Sequence, residues 1–215
     1  MAGLDKATAY GPRPRGLGAA GTSARFLLRY LRSPALIGAI APSSAALART
    51  MSRQAQGYAH ILEFGAGTGT ITQQLALDHG ERCLTVFELD PRLARALARR
   101  YPHVPVWDGC LHDRADIVLG QPAECVAVSS LPFRSLPASV REPTIEVVEA
   151  FLNAYPQRRL VQYTYGLRAP FDVSTPRLAW TRHDRVWTNV PPASVWTLRQ
   201  TGTSTPGNGA DPRSR

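Results

Sequence analysis

Ile61-Leu62-Glu63-Phe64 runs directly into Gly65-Ala66-Gly67-Thr68-Gly69, and this stretch constrains the chain more than any other. A short apolar strand ending in alternating glycines must turn sharply. Without Cβ atoms at those glycines, the backbone can lie against a bound ligand. The helix predicted over 70–78 then points its free N-terminal amides at the same place. A second apolar run, Leu84-Thr85-Val86-Phe87, ends in Glu88, nineteen residues past Gly69. A carboxylate there can accept hydrogen bonds from ribose hydroxyls. The pattern predicts a pocket for a nucleotide-type cofactor.

A dinucleotide fingerprint needs G-x-G-x-x-G, whereas this loop reads G-x-G-x-G, and a Gly-Lys-Ser/Thr phosphate loop is absent from the sequence. Glu63, two residues before the first glycine, makes the loop similar to motif I of the Rossmann-like S-adenosylmethionine-dependent methyltransferases. In that class the glycine turn accommodates the methionine part of the cofactor. The resemblance implies S-adenosyl-L-methionine as cofactor, with Glu63, Gly65, Gly67, Gly69, Glu88, Asp108 and Ser129 around it. Asp108 follows strand 3, where the class often uses an acid to hold the adenine amino group; a solvated turn before Gly109 also explains it. Asp90 is expected to cap the next helix.

The remaining periodicity predicts a helix over 43–55 and strands over 60–64, 84–89, 104–107, 124–129 and 160–165. Helices fall between them at 91–100, just after His112, and at 139–154. Strands alternating with helices imply a parallel sheet. Two late strands, 179–188 and 194–199, flank Asn189-Val190-Pro191-Pro192 and predict an antiparallel pair. The fold expected is α/β, a Rossmann-like seven-stranded methyltransferase sheet closed by that pair and preceded by an N-terminal amphipathic helix. Residues 1–20, rich in Gly, Pro and Ala, and 201–215, with Gly, Ser, Thr and Pro, read as disordered ends. Residues 21–57 would carry the amphipathic helix and a segment covering the cofactor, and 58–200 the methyltransferase domain.

Charge is distributed unevenly. Eight cations against Asp5 alone place seven of the nine net positive charges within the first 53 residues. Such clustering points to an anionic partner, nucleic acid or a membrane surface. Over 22–33, Arg25, Arg29 and Arg32 share one helical face, and Phe26, Leu27, Leu28, Tyr30 and Leu31 cover the rest. This fits a helix lying in a membrane interface, and equally a core helix with a solvated arginine face. Cys83, Cys110 and Cys125 have no shared redox or metal-ligand spacing, and no two histidines are spaced as a metal pair. No metal is expected, and the cysteines fit a reducing cytoplasm.

Strand 4 ends in Ser129-Ser130-Leu131-Pro132-Phe133. This is similar to the Asn-Leu-Pro-Tyr segment of amine-methylating enzymes such as the ribosomal RNA adenine dimethyltransferases, with Ser130 in place of asparagine and Phe133 in place of tyrosine. Together with Phe26-Leu-Leu-Arg-Tyr-Leu-Arg-Ser-Pro, Gly38-Ala-Ile-Ala-Pro-Ser-Ser, Tyr163-Thr-Tyr-Gly and Asn189-Val-Pro-Pro-Ala-Ser-Val-Trp, the chain resembles the bacterial phospholipid N-methyltransferases.

That resemblance implies methylation of the amine of phosphatidylethanolamine and its methylated intermediates toward phosphatidylcholine. It implies an enzyme at the inner face of the cell membrane, peripherally attached. Ser130 and Leu131 would orient the amine, with Phe133, Tyr163 and Tyr165 around the growing cation. Arg25, Phe26, Arg29 and Arg32 would meet the anionic membrane and the lipid phosphate. Nucleic acid is not the expected partner, since nothing after the last strand could form the helical RNA-binding domain of the dimethyltransferases. The alternatives are an rRNA adenine or small-molecule N-methyltransferase on the same fold, or a cofactor-sensing binding protein without catalysis.

Overall fold

The computed structural model describes residues 45–189 and 191–202. The parallel part of the sheet is built from β1 (His60–Phe64), β2 (Leu84–Glu88), β3 (Val106–Asp108), β4 (Cys125–Ser129) and β5 (Arg159–Thr164). β6 (Leu178–Val186) and β7 (Ala193–Gln200) close it as an antiparallel pair, giving seven strands in the order β3-β2-β1-β4-β5-β7-β6. This is the α/β sheet expected from the sequence, including its antiparallel end.

Strand alternation sends neighbouring side chains to opposite faces, and both faces are covered. Ile61, Val86, Val126, Val128 and Val161 meet α1 (Ala45–Arg53), α2 (Thr70–His79) and α3 (Pro91–Arg100) through Leu47, Met51, Ile71, Leu75 and Leu97. Leu62, Phe87, Ala127 and Leu160 meet α4 (Ala115–Leu119) and α5 (Ala138–Ala154) through Val118, Val148, Phe151 and Leu152. Burying each such large apolar side chain stabilises the fold by roughly 1.5–3 kcal/mol.

Boundaries differ from the sequence expectation where hydrogen bonding decides them. β3 begins at Val106, not 104, because Pro105 has no N–H to give and offers only its carbonyl, which accepts from the Val86 amide at 2.9 Å. Asp108 thereby becomes the last residue of β3, in register with Glu88. The helix expected after His112 is two pieces, a 3₁₀ turn at Leu111–Arg114 running into α4. Asp90 caps α3 as expected, its Oδ1 accepting from the Arg92 amide at 2.8 Å. α5 accommodates Pro143 within its length. Arg158, fully buried, donates to the carbonyls of Gln121, Pro122 and Phe151 and so ties the loop before β4 to α5.

Candidate functional site

The sheet order places the topological switch between β1 and β4, since the chain steps outward one way through β2 and β3 and the other way through β5. Ligands of open α/β sheets bind beyond the carboxyl ends of the strands at such a point. Here the two loops that meet are 65–69 after β1 and 130–133 after β4. They touch directly: a Cβ on Gly65 would lie 2.9 Å from Leu131 Cδ2. The Ser130 amide donates to the Phe64 carbonyl at 2.9 Å, and the Gly65 amide to the Phe87 carbonyl at 2.8 Å.

Gly67 turns left-handed, at φ 59°, and a Cβ there would meet nothing within 4 Å. The glycine leaves open space above a loop whose other walls are filled. Its amide donates to Glu88 Oε2 at 2.6 Å, and Glu88 Oε1 accepts the Asp90 amide at 2.8 Å. Burial raises the Glu88 pKa, while those two amides pull it back down. Gly69 caps α2 without a side-chain hydrogen bond, and a Cβ there would lie 2.6 Å from Leu97 Cδ2, so only glycine fits. Asp108 ends β3 as an exposed carboxylate, one strand further out.

Glu63 is the unusual group. It lies on the helix-covered face with Ile61, is fully buried, and neither carboxyl oxygen has a hydrogen-bond partner of good geometry. Burial pushes its pKa up to about 8; nearby Thr72 opposes this and the Glu88 charge adds to it. The hydroxyls of Thr72 and Tyr101 are buried and unpartnered too. An orphaned carboxyl beneath an open glycine cradle, with a second carboxylate at its rim, fits a polar and partly cationic ligand such as S-adenosylmethionine.

The residues expected around the acceptor also come together. Ser130, Leu131, Phe133, Tyr163 and Tyr165 line one cavity of about 580 Å³, beside Gln162, Thr164, Arg134 and Arg168. The Tyr163 and Tyr165 rings meet edge to face at 5.6 Å, and Phe133 packs on Phe171 at 4.7 Å. Tyr165 is also bonded to Asn189, and its phenol pKa is raised by burial and by Tyr163. Ser129 is fully buried, and its Oγ accepts the Leu131 amide at 3.2 Å, which shapes the turn.

Gln162 is the residue that sequence reasoning missed. Its Nε2 donates to the carbonyls of Leu131, at 3.1 Å, and Tyr163, at 2.8 Å, holding the β4 turn against β5. The signal was available: an amide in the buried middle of a strand has to bond something. Cys110, His112 and Asp113 form a further group that spacing between like residues does not reveal; their ligand atoms lie within 4.8 Å of one another. Burial and Asp113 push the Cys110 thiol up to about 11. Arg25, Phe26, Arg29 and Arg32 lie outside the described residues.

The chain is similar to many solved structures, among them two matched over most of its length. One is 1,6-didemethyltoxoflavin-N1-methyltransferase from Burkholderia thailandensis, with 1,6-didemethyltoxoflavin and S-adenosylhomocysteine bound. It is 18% identical, covers 88% of this chain and 94% of its own, and has a TM-score of 0.59. The other is a TehB-like SAM-dependent methyltransferase from Corynebacterium glutamicum, 18% identical over 84% of this chain and 99% of its own, at a TM-score of 0.53. The chain has the methyltransferase fold. Neither a family model nor a curated protein sequence matches it. On this methyltransferase fold the glycine loop, Glu88 and the aromatic cavity share the carboxyl edge of the sheet. Among the described residues no helix is long and apolar enough to cross a membrane.

Proposed function

We propose that this protein is an S-adenosylmethionine-dependent N-methyltransferase whose acceptor is the amine of a membrane lipid, phosphatidylethanolamine and its methylated intermediates. One observation carries the reading: an aromatic-walled cavity, Ser130 to Phe133 with Tyr163 and Tyr165, opens beside an empty-topped glycine cradle. When bound, S-adenosylmethionine supplies an electrophilic methyl group on a positively charged sulfur.

The chain's own residues do the positioning, which is the main contribution in such a transfer. Glu88 accepts from ribose hydroxyls, Asp108 takes the adenine amino group, and the 65–69 backbone lies along the methionine part. The Ser130 hydroxyl and the backbone of the β4 turn orient the amine. Phe133, Tyr163 and Tyr165 offer ring faces to a nitrogen that gains positive charge, an attraction worth about 0.5–2 kcal/mol. Among the described residues the cavity lining holds no carboxylate and no histidine. A carboxylate ion pair therefore does not trap the cationic product.

Arg134 and Arg168 at the same cavity suit an acceptor that carries an anion next to its amine. The basic stripe Arg25, Arg29 and Arg32 with Phe26 is proposed to dock the protein on an anionic bilayer from the cytoplasmic side. Incubation with labelled S-adenosylmethionine and mixed liposomes, read by lipid mass spectrometry, tests the acceptor; a parallel RNA sample tests the nucleic-acid reading.

A further inference from the structure

Five large apolar side chains stand out in solvent among the described residues: Leu77, Leu119, Tyr155, Leu167 and Trp187. The first three are scattered over α2, the end of α4 and the end of α5. Leu167 and Trp187, exposed by 59% and 69%, share one edge of the molecule. Leu167 lines the aromatic cavity just past β5. Trp187 sits in the β6–β7 turn, and the register places that turn beside the end of β5, since Thr164 pairs with Ser194 and Val186 with Ala193. The bond between Tyr165 and Asn189 fastens the turn to the cavity wall.

Charge accompanies both side chains. The Arg185 guanidinium stacks on the Trp187 indole at 4.2 Å, and Arg168 is exposed next to Leu167. The opposing charges nearby are Asp184 on β6 and Asp172 beyond Pro170, both exposed. His183 on β6 faces Thr197, and burial lowers its pKa, which keeps it neutral at neutral pH. An exposed indole with an arginine on its face is suited to the headgroup layer, where the ring sits at the interface and the guanidinium meets lipid phosphate.

We infer that the folded domain carries its own membrane contact, Trp187 with Arg185 and Leu167 with Arg168, which seats the mouth of the aromatic cavity on an anionic bilayer. The inference rests on the proposed lipid acceptor but concerns a surface distinct from the N-terminal arginine stripe. Contact here brings the cavity to the headgroups directly, so an amine enters without leaving the interface.

The test uses the full chain and vesicles of phosphatidylglycerol and phosphatidylethanolamine with brominated acyl chains. The emission of Trp187 is isolated by subtracting the Trp187→Phe variant, which removes the indole from an exposed site and leaves the core intact. The expected result is a blue-shifted Trp187 signal quenched by the brominated lipid. Arg185→Ser should weaken vesicle affinity about fivefold, as expected for one arginine at an anionic surface. Vesicles that pellet the protein while Trp187 emission stays unshifted overturn the inference, as do failure to bind vesicles and a Trp187 response to RNA alone. Lipid methylation is read in the same samples. Methylated lipid with Trp187 still in water sinks this surface and spares the acceptor; buried Trp187 without methylated lipid sinks the acceptor and spares the surface.

Discussion

The Glu88 carboxylate holds the Gly67 amide at 2.6 Å, so the end of β2 and the middle of the glycine loop form one unit. The same oxygen atoms are the ones proposed to meet the ribose. On that proposal loop shape and cofactor recognition share a single side chain, and Gly67 leaves the space above it clear.

Gly67→Arg fills that space. A side-chain residue in the left-handed region costs about 1–2 kcal/mol, which corresponds to a drop of a few degrees in the melting midpoint. The protein should stay folded and lose S-adenosylmethionine binding in isothermal titration calorimetry. Retained affinity would contradict the pocket assignment.

Glu63 should impose a pH dependence on stability. Its folded pKa of about 8 lies above the ordinary 4.5, so between those values the folded state holds a proton that the unfolded chain has released. Stability from this group is fully present below pH 4.5, falls as pH rises through about 8, and then levels off. The slope is at most about 1.4 kcal/mol per pH unit. Glu63→Gln is neutral throughout, so its melting midpoint should gain on the natural protein between pH 5 and 8. A difference that stays flat with pH would show that Glu63 is not held protonated.

Tyr165→Leu removes a ring from the cavity and keeps its volume apolar. The acceptor kcat/KM should fall about two- to thirtyfold, because the ring's attraction grows with the charge on the nitrogen. Cofactor affinity should be unchanged, since the Tyr165 side chain lies on the cavity side of the β4 turn. A parallel loss of both would mean that the ring serves only to hold the fold.

Arg25, Arg29 and Arg32 changed together to Glu should reduce sedimentation with anionic liposomes while S-adenosylmethionine still binds. If the variant pellets as the natural protein does, the helix is not an anchor.

Much of the fold was readable because the sequence repeats simple constraints. Strand β1 and the glycine loop announce themselves by apolar run and missing Cβ, and Asn189 to Pro192 marks the turn of the antiparallel pair. The start of β3 was misread at Val104 because that residue is apolar and buried without belonging to the ladder. The glycine loop and Glu88 were legible as a nucleotide-type pocket from spacing along one segment, whereas Asp108 and Ser129 came with the resemblance. The acceptor half came from resemblance, and its extra wall did not: Arg134 follows Phe133 in the β4 loop, while Gln162 and Arg168 reach the cavity because β5 pairs with β4. No local pattern encodes that neighbourhood, so long-range partners such as Gln162 with Leu131 had to await the structure.

The proposal that a lipid amine is methylated at the aromatic cavity has a direct test. The most direct measurement incubates the full chain with isotopically labelled S-adenosylmethionine, liposomes containing phosphatidylethanolamine, and RNA, and follows the label by mass spectrometry. Label is expected on the ethanolamine nitrogen of the lipid, with loss of that label in Gly67→Arg. Label on RNA with the lipid left unlabelled would contradict it.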